Sequence, residues 1–432
     1  MLETRELTVH EQSMEILNNL AASFHIVTIS RIKGLLNEEL LRQALDTTQE
    51  RHPFLNARIV EKSNSFWFES AADKIPLLVV HKQHQQQWEE VVIEELNKKI
   101  NSEKNLLRVT LITLEAENIC YLITVIHHSI SDASSCIQLH SELLTYCQNI
   151  VEGKAETQVH RLSQLPSIYK LIPKSFQGIT GAISNIFYLL NLKLRLSRYQ
   201  PITIGFENSV PIQSRRCGMV HRKLDSELTR RLVEVCRQNQ TTVQAALGAA
   251  MLFAVAKNNK FSQTKNNYFS FRSSVNLRGR LQSKISNEHL AAMASAVVSF
   301  HAFQVNDNFW DLARDIKHKL EKGLTRGDGF RQLLMFKTIM KSFLKKPYQS
   351  AVSAALTNIG RVKIPHNYGQ FELEEISFVP AQSAFGGIFA AAVSTFRDKM
   401  LLNFMFSQPS ISTKTIENLA DDMICIISDV CN

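Results

Sequence analysis

The chain has 432 residues, more than one hydrophobic core usually organises, so we expect two packed units or one large bilobal body. Hydrophobic residues make up 44% and charged residues 21%, and no low-complexity tract is present, which excludes a disordered arm. The formal net charge of +9 favours anionic partners, but no recognisable nucleic-acid-binding module accompanies it, so we expect no nucleic-acid partner.

The first part of the chain alternates between strand and helix patterns. A helix is predicted to begin after Asn37, a plausible N-cap, and another around residues 88–100. A hairpin is predicted to be joined across residues 115–118, and a further helix to follow it over 133–150. The predicted strands of this part are residues 24–33, 55–60, 65–69, 77–80, 106–114 and 119–127.

A connecting region follows, with most of the loop signals of the chain. Its residues 179–196 have apolar side chains at helical spacing and basic side chains towards the C-terminal end. Polar and charged residues interrupt this stretch, so we expect it not to span a membrane. We interpret it as a core-facing or crossover helix, with contact to a membrane surface as the alternative.

The second part again mixes helices and strands. A capping-box pattern from Thr241 to Gln244 predicts the start of one helix, and Ser412 begins the closing helix. Other predicted helices are 225–237, 308–323 and 329–343, and predicted strands are 268–277, 353–358, 371–379, 388–395 and 400–406. The fold class is therefore α/β with mixed sheets, divided into residues 1–160, a crossover over 161–215, and residues 216–432.

Cysteine use and the N-terminus bear on the compartment. The seven cysteines are odd in number and scattered, without C-x-x-C spacing, which fits a reducing compartment. The first residues lack the apolar region of a secretory signal, so we expect a cytoplasmic protein. Basic residues gather in 215–223, 272–284 and 317–346, which suits phosphates, an acidic carrier protein or an anionic membrane, although a solvated basic surface is an alternative.

The run His127-His128-Ser129-Ile130-Ser131-Asp132 is the strongest candidate for chemistry. Strand alternation puts His127 and His128 on opposite faces, so only one of them faces a given cleft. An imidazole is the side chain best suited to accept a proton near neutral pH, and Asp132 could orient it.

Each residue of this run has a plainer interpretation. Asp132 could simply cap the helix that follows, and His127 could be a buried, hydrogen-bonded residue. A metal site formed by His128 and Asp132 is not expected, because no third ligand follows at a suitable spacing.

Two segments of the second part carry further polar residues. In strand 268–277, alternation places four polar side chains on one face, and these are Arg272, Ser274, Asn276 and Arg278. This face could be exposed to solvent, could line a polar cleft, or could contain a buried ion pair. Arg278 is our candidate partner for a buried Asp132. In the segment Thr357-Asn358-Ile359-Gly360-Arg361, Asn358 could donate a hydrogen bond to a ligand, and Gly360 could allow the ligand to approach the backbone closely. Alternatively, the segment is an ordinary turn at the end of a strand.

Taken together, these segments resemble the chloramphenicol-acetyltransferase-like superfamily, in particular condensation domains and stand-alone bacterial acyltransferases of the polyketide-associated and alcohol-acyltransferase type. The landmarks occur in family order over nearly the whole chain: Ile32-Lys33-Gly34, Ala44-Leu45, Arg51 to Leu55, the histidine run, Val275 to Arg278 and Thr357 to Arg361. The resemblance implies natural-product biosynthesis and two α/β lobes in a V with a central tunnel. It also implies that His128 is the general base, with Asp132 holding the loop and Arg278 pairing with Asp132.

The resemblance further implies acyl transfer to a hydroxyl or amine acceptor. The donor would be a thioester of coenzyme A or of the phosphopantetheine arm of an acyl carrier protein, with no permanently bound cofactor and no metal. Ser274, Asn276, Asn358 and Gly360 would bind substrate. Ala133 stands where family members commonly have Gly, which affects acceptor size. A non-catalytic module that docks an acylated carrier is the alternative.

Overall fold

The computed structural model describes residues 4–81, 84, 86–114, 117–154, 159–258 and 267–432. Residues 115 and 116 of the predicted hairpin turn lie outside this part. The protein is mixed α/β, as predicted, with two six-stranded sheets and a small three-stranded one among the described residues. The strands are β1 (Arg5–Glu6), β2 (His25–Lys33), β3 (Ala57–Lys62), β4 (Ser65–Ser70), β5 (Leu77–His81), β6 (Leu107–Leu114), β7 (Ile119–His127), β8 (Arg216–Leu224), β9 (Tyr268–Asn276), β10 (Ala294–Ala302), β11 (Ala354–Arg361), β12 (Asn367–Tyr368), β13 (Phe371–Pro380), β14 (Phe389–Phe396) and β15 (Lys399–Gln408).

The helices begin where the sequence offers caps. Asn37 caps α2 as predicted, while the cap of α8 is Thr242, one residue after the predicted Thr241. The helices are α1 (Val9–Ala21), α2 (Glu38–Arg51), α3 (Gln87–Leu96), α4 (Ala133–Val151), α5 (Ile168–Leu171), α6 (Gly178–Tyr199), α7 (Ser226–Gln238), α8 (Val243–Lys257), α9 (Phe309–Arg326), α10 (Asp328–Leu334), α11 (Phe336–Leu344) and α12 (Thr413–Cys431).

The chain forms two compact units. The first consists of Met1–Lys170, Lys284–Met293 and Arg361–Ala381, and the second of Leu171–Ser283, Ala294–Gly360 and Gln382–Asn432. Each unit therefore takes up segments that are distant in sequence. The contiguous limits 1–160, 161–215 and 216–432 remain a prediction about domains.

The first unit is organised around β7. Its sheet has the order β12-β13-β2-β7-β6-β5, with β5 parallel to β6 and the other pairs antiparallel. Strand β7 is central and nearly all apolar, so it is buried on both faces. Helix α4 packs against β2 and β13, and the register of β2 and β7 places His25 opposite His127.

The second unit has the sheet order β10-β9-β11-β14-β15-β8. Helix α8 is apolar on all sides and is buried between α9 and α12, as expected for such a helix. Strands β9 and β11 are parallel neighbours, with Ala355 opposite Arg272. This pairing brings the two polar segments that we singled out in the sequence onto adjacent strands.

Residues 179–196 were interpreted as a core-facing or crossover helix, and the core-facing part of this interpretation is wrong. Helix α6 forms as predicted, but its apolar side chains point outward, and Ile179 is 82% and Phe187 67% exposed. Periodicity showed that one face is apolar, but it could not show whether another element covers that face. Among the described residues, no helix combines the length and the hydropathy that a membrane crossing requires.

Candidate active site

The two adjacent histidines lie where β7 ends. His127 is the last residue of the strand and is fully buried, whereas His128 begins a 3-10 turn (His128–Ile130) and is half-buried. The different exposure agrees with the predicted opposite orientation of the two side chains. The backbone amide of His128 donates to the carbonyl of Phe24 at 2.9 Å, which ties the turn to the segment before β2.

His127 has the buried, hydrogen-bonded environment of our plainer interpretation. Its Nε2 lies 2.9 Å from a carboxylate oxygen of Glu15, and its Nδ1 accepts from the backbone amide of Ser129 at 3.2 Å. Nδ1 is therefore the unprotonated nitrogen, and the Nε2 proton faces Glu15. Burial alone would raise the pKa of Glu15, but hydrogen bonds from His127, Ser102 and Asn19 outweigh it, so this pKa lies below its ordinary value.

His128 is held by a different contact. Its Nδ1 lies 2.8 Å from the backbone carbonyl oxygen of Ser131, which can only accept, so Nδ1 carries the proton and donates. The lone pair of the neutral ring is consequently on Nε2. Burial lowers the pKa of His128 below its ordinary value, and the nearby His127 acts in the same direction, while the Ser131 contact and the charge of Asp132 oppose the shift. The ring is thus kept neutral at physiological pH.

Two more imidazoles surround this turn. Burial, followed by the nearness of His128, lowers the pKa of His10 to about 3. Burial also places the pKa of His25 well below its ordinary value, with Arg108 acting in the same direction. The rings of His10 and His25 are therefore uncharged near neutral pH. The same burial disfavours a positive charge on any group close to His128.

Asp132 is the N-cap of α4. One of its carboxylate oxygens accepts from the backbone amide of Ser135 at 2.9 Å, and the other accepts from the backbone amide of Met293 at 3.2 Å. The carboxylate therefore starts the helix and also fixes the segment 284–293 to it. Its negative charge acts on His128 through space, because the hydrogen bond at Nδ1 of His128 goes to Ser131 instead.

The second unit brings Ser274 of β9 next to Thr357 of β11, with 2.8 Å between the two hydroxyl oxygens. The side-chain oxygen of Asn276 accepts from the amide of Arg278, and that of Asn358 accepts from the amide of Gly360 at 2.8 Å. Gly360 has φ +71°, and a Cβ there would meet nothing within 4 Å. Its backbone conformation explains the glycine.

The structure thus assembles the histidine run in the first unit, and Ser274, Asn276, Asn358 and Gly360 on neighbouring strands of the second. The catalytic and binding roles of these residues, and the pairing of Arg278 with Asp132, remain predictions. Sequence reasoning missed Glu15, because it predicted no helix over α1 (Val9–Ala21) and no local pattern links this segment to the end of β7. Among the described residues there is also no cluster of three potential metal ligands.

Comparison with protein families gives two matches that follow each other along the chain. Residues 12–169 match the Condensation domain, and residues 213–408 match the C-terminus of phthiocerol/phthiodiolone dimycocerosyl transferase, the PapA type of acyltransferase. No curated protein matches the chain significantly in sequence.

Several solved structures share the fold over nearly the full chain. TRI3 trichothecene 15-O-acetyltransferase from Fusarium sporotrichioides has 14% identity and a TM-score of 0.80, covering 99% of this chain and 94% of that one. Polyketide synthase associated protein 5 from Mycobacterium tuberculosis has 15% identity and a TM-score of 0.69, covering 98% of both chains. The first condensation domain of the CDA synthetase has 11% identity and a TM-score of 0.76, covering 99% and 96%. The chain is therefore similar in sequence to condensation domains over its first part and to PapA-type acyltransferases over its second, and it has their chloramphenicol-acetyltransferase-like fold, which supports acyl transfer as its general activity.

Proposed function

We propose that this protein transfers an acyl group from a thioester to a hydroxyl or amine, with Nε2 of His128 as the general base. The observation that carries the proposal is the contact between Nδ1 of His128 and the carbonyl of Ser131. It fixes the neutral tautomer whose lone pair is on Nε2, as a base must have. The lowered pKa of His128 supports this role, since the ring is unprotonated near neutral pH.

In the proposed reaction, Nε2 takes the proton of the acceptor as its oxygen or nitrogen attacks the thioester carbonyl. The tetrahedral intermediate then expels the sulfur, and the imidazolium returns its proton to the leaving thiolate. Ester or amide and free thiol are the products, so atoms and protons balance without a covalent acyl-enzyme. General base catalysis contributes roughly 10²- to 10⁴-fold, and positioning of the two substrates supplies much of the rest.

The neighbours of His128 are proposed as positioning residues. His127 is fixed by Glu15 and Ser129, and it anchors the end of β7 from which His128 projects. Asp132 fixes the start of α4, and its charge moderates the fall in the pKa of His128. A rigid turn keeps Nε2 in one place, which base catalysis requires.

We propose that the donor is acyl-coenzyme A or an acyl carrier protein and that the acceptor is a small alcohol or amine. The exposed basic residues of 215–223 and 272–284 would attract the phosphates of either donor, and these are Arg216, Lys223, Arg280 and Lys284. Ser274, Asn276, Asn358 and Gly360 would contact substrate in the second unit, where strands β9 and β11 bring them together.

The test uses purified full-length protein with acyl-coenzyme A or acyl-carrier donors, mixed alcohol and amine acceptors, and detection of released thiol. We expect acceptor-dependent release that falls at least about 10²-fold in His128→Gln. The matched control is His318→Gln, because His318 is an exposed histidine on α9. Circular dichroism and thermal unfolding establish that both variants are folded.

An undiminished rate in folded His128→Gln would contradict the role of His128. Absence of thiol release with every donor, together with binding of the acyl carrier, would instead favour the non-catalytic docking module. The identity of the active donor also decides between coenzyme A and a carrier protein.

A further inference from the structure

Helix α6 shows its apolar face to solvent. Six large apolar residues on it are about half exposed or more, and these are Ile179 (82%), Ile183 (49%), Ile186 (53%), Phe187 (67%), Leu190 (55%) and Leu194 (66%). At 3.6 residues per turn they cover an arc of about 100° and a length of about 22 Å. We call this surface the α6 apolar face. A contiguous apolar surface of this kind is unusual on a protein that has no partner for it.

The opposite face of α6 is mixed, with tyrosines and polar residues beside the half-buried Leu192 and Leu196, and it holds the helix on the second unit. Tyr188 donates to Gln332 at 2.9 Å, and Ser184 accepts from Arg331 at 3.0 Å, so both contacts go to α10. Near the end of the helix, Tyr199 stacks on Tyr268 of β9 with 4.5 Å between ring centroids. The helix is therefore fixed with its most apolar face outward, opposite to the usual orientation of a surface helix.

The charged side chains of α6 itself have one sign. Between Glu156 and Glu207 the sequence contains no acidic residue, and exposed Lys193 and Arg198 border the apolar arc on either side. Helix α11, which follows α10, and the two residues after it form a second acid-free stretch of the same unit with exposed lysines, namely Lys337, Lys341, Lys345 and Lys346. An apolar stripe with a cationic border is the pattern of a helix that lies in the interface of an anionic membrane.

We propose that α6 docks this protein onto an anionic lipid surface, with the α6 apolar face inserted among the acyl chains and Lys193 and Arg198 at the headgroups. A second copy of the chain fits less well, because a two-fold contact would bring the cationic borders together without acidic partners. An acidic protein partner also fits less well. No polar side chain interrupts the arc between Ile179 and Leu194, whereas protein interfaces carry about one hydrogen bond per 100–200 Å². This proposal goes beyond acyl transfer and does not depend on it.

The test is flotation of the full-length protein with vesicles of phosphatidylcholine alone or of equal parts phosphatidylcholine and phosphatidylglycerol. We expect binding to the anionic vesicles, weaker binding at high salt, and little binding to the neutral ones. The double variant Phe187→Asp with Leu190→Asp should lower partitioning about tenfold or more. Lys193→Glu with Arg198→Glu should lower binding to anionic vesicles only.

The matched control is Leu78→Asp with Val305→Asp, since these side chains are 53% and 52% exposed but belong to β5 and to the segment after β10, not to α6. This control should float like the unchanged protein. Failure of the unchanged protein to bind anionic vesicles, or equal binding by the Phe187→Asp, Leu190→Asp variant, would overturn the proposal. Light scattering that shows a dimer, dissociated by the same variant, would assign the face to a second copy instead.

Discussion

At the scale of single residues, the protonation of His128 controls the proposed reaction. A base works only when it is unprotonated, and burial lowers the pKa of His128 below the ordinary value of 6.5. We therefore expect kcat/KM to be independent of pH around neutrality and to fall only below pH 6.5. The acidic limb of the pH profile should report the lowered pKa of His128. A pH profile of thiol release measures it. A limb at or above pH 6.5 would show that the ring is not desolvated as described.

Gly360 permits a second test at the residue scale. Its φ of +71° lies in the left-handed region, and the space around a Cβ is open, so Gly360→Ala would suffer backbone strain without a clash. We expect a loss of about 1 kcal/mol or more in the free energy of unfolding, and a smaller loss for Gly360→Asn. Denaturant unfolding provides the measurement. Gly279→Ala is the control, because Gly279 has open space and no positive φ, and equal losses at the two positions would contradict the argument.

The sequence was informative about single residues only where their partners are local. The candidates His127, His128 and Asp132 stood out because they fall in one short run, and the capping alternative for Asp132 depended only on the helix that follows it. Glu15 did not stand out, although it contacts His127, because α1 and the end of β7 are far apart in sequence. Contacts of this kind depend on the fold and leave no local pattern.

At the scale of secondary-structure elements, Asp132 caps the start of α4, and its charge also acts on His128. Two substitutions can separate these two roles. Asp132→Asn keeps an oxygen that accepts from Ser135, so the cap of α4 should be retained, but it removes the charge and puts an NH2 group against the backbone amide of Met293. The pKa of His128 should then fall further. Asp132→Ala removes the cap as well and should cost about 1–2 kcal/mol more than Asp132→Asn. Thermal unfolding and the pH profile of thiol release together measure the two effects. Equal destabilisation by the two substitutions would show that the cap is not the main contribution.

Elements were predicted well where their pattern is intrinsic. Strands β2, β6 and β7 and helices α2 and α4 begin and end within a few residues of their predicted limits, because alternation and N-caps are local. Strands β8 and β10 were not predicted as separate elements. For α6 the helix was predicted but its orientation was not, because the contacts of Tyr188 and Ser184 with α10 decide which face turns inward.

At the scale of the whole molecule, the sequence could not show how the chain is shared between the two units. The segments 284–293 and 361–381 join the first unit, where Met293 contacts Asp132 and β13 pairs with β2. Nothing in their composition distinguishes them from their neighbours. The pairing of β9 with β11, which brings Ser274 and Thr357 together, likewise results from the fold of the second unit.

The buried histidines make the stability of the whole protein sensitive to acid. Burial lowers the pKa of His140 to about 3, and both nitrogens of its ring lie 2.7 Å from hydroxyl oxygens, those of Ser30 and Thr124. The pKa of His10 is also about 3. In the unfolded chain both would titrate near 6.5, so the unfolded state binds more protons as the pH falls below 6.5. This contribution to stability is therefore complete above pH 6.5 and is lost towards pH 3.

We expect the free energy of unfolding to fall steeply between pH 6 and pH 4, by about 1.4 kcal/mol per pH unit for each such histidine. His140→Gln should lower the free energy of unfolding at pH 7, because glutamine does not make both hydroxyl contacts. It should also reduce the slope of this free energy against pH by the amount that one proton contributes. His318→Gln, at an exposed position, should leave the slope unchanged. Urea unfolding at a series of pH values gives the slope directly. An unchanged slope in His140→Gln would mean that this ring accepts a proton in the folded protein, which its burial between two hydroxyls disfavours.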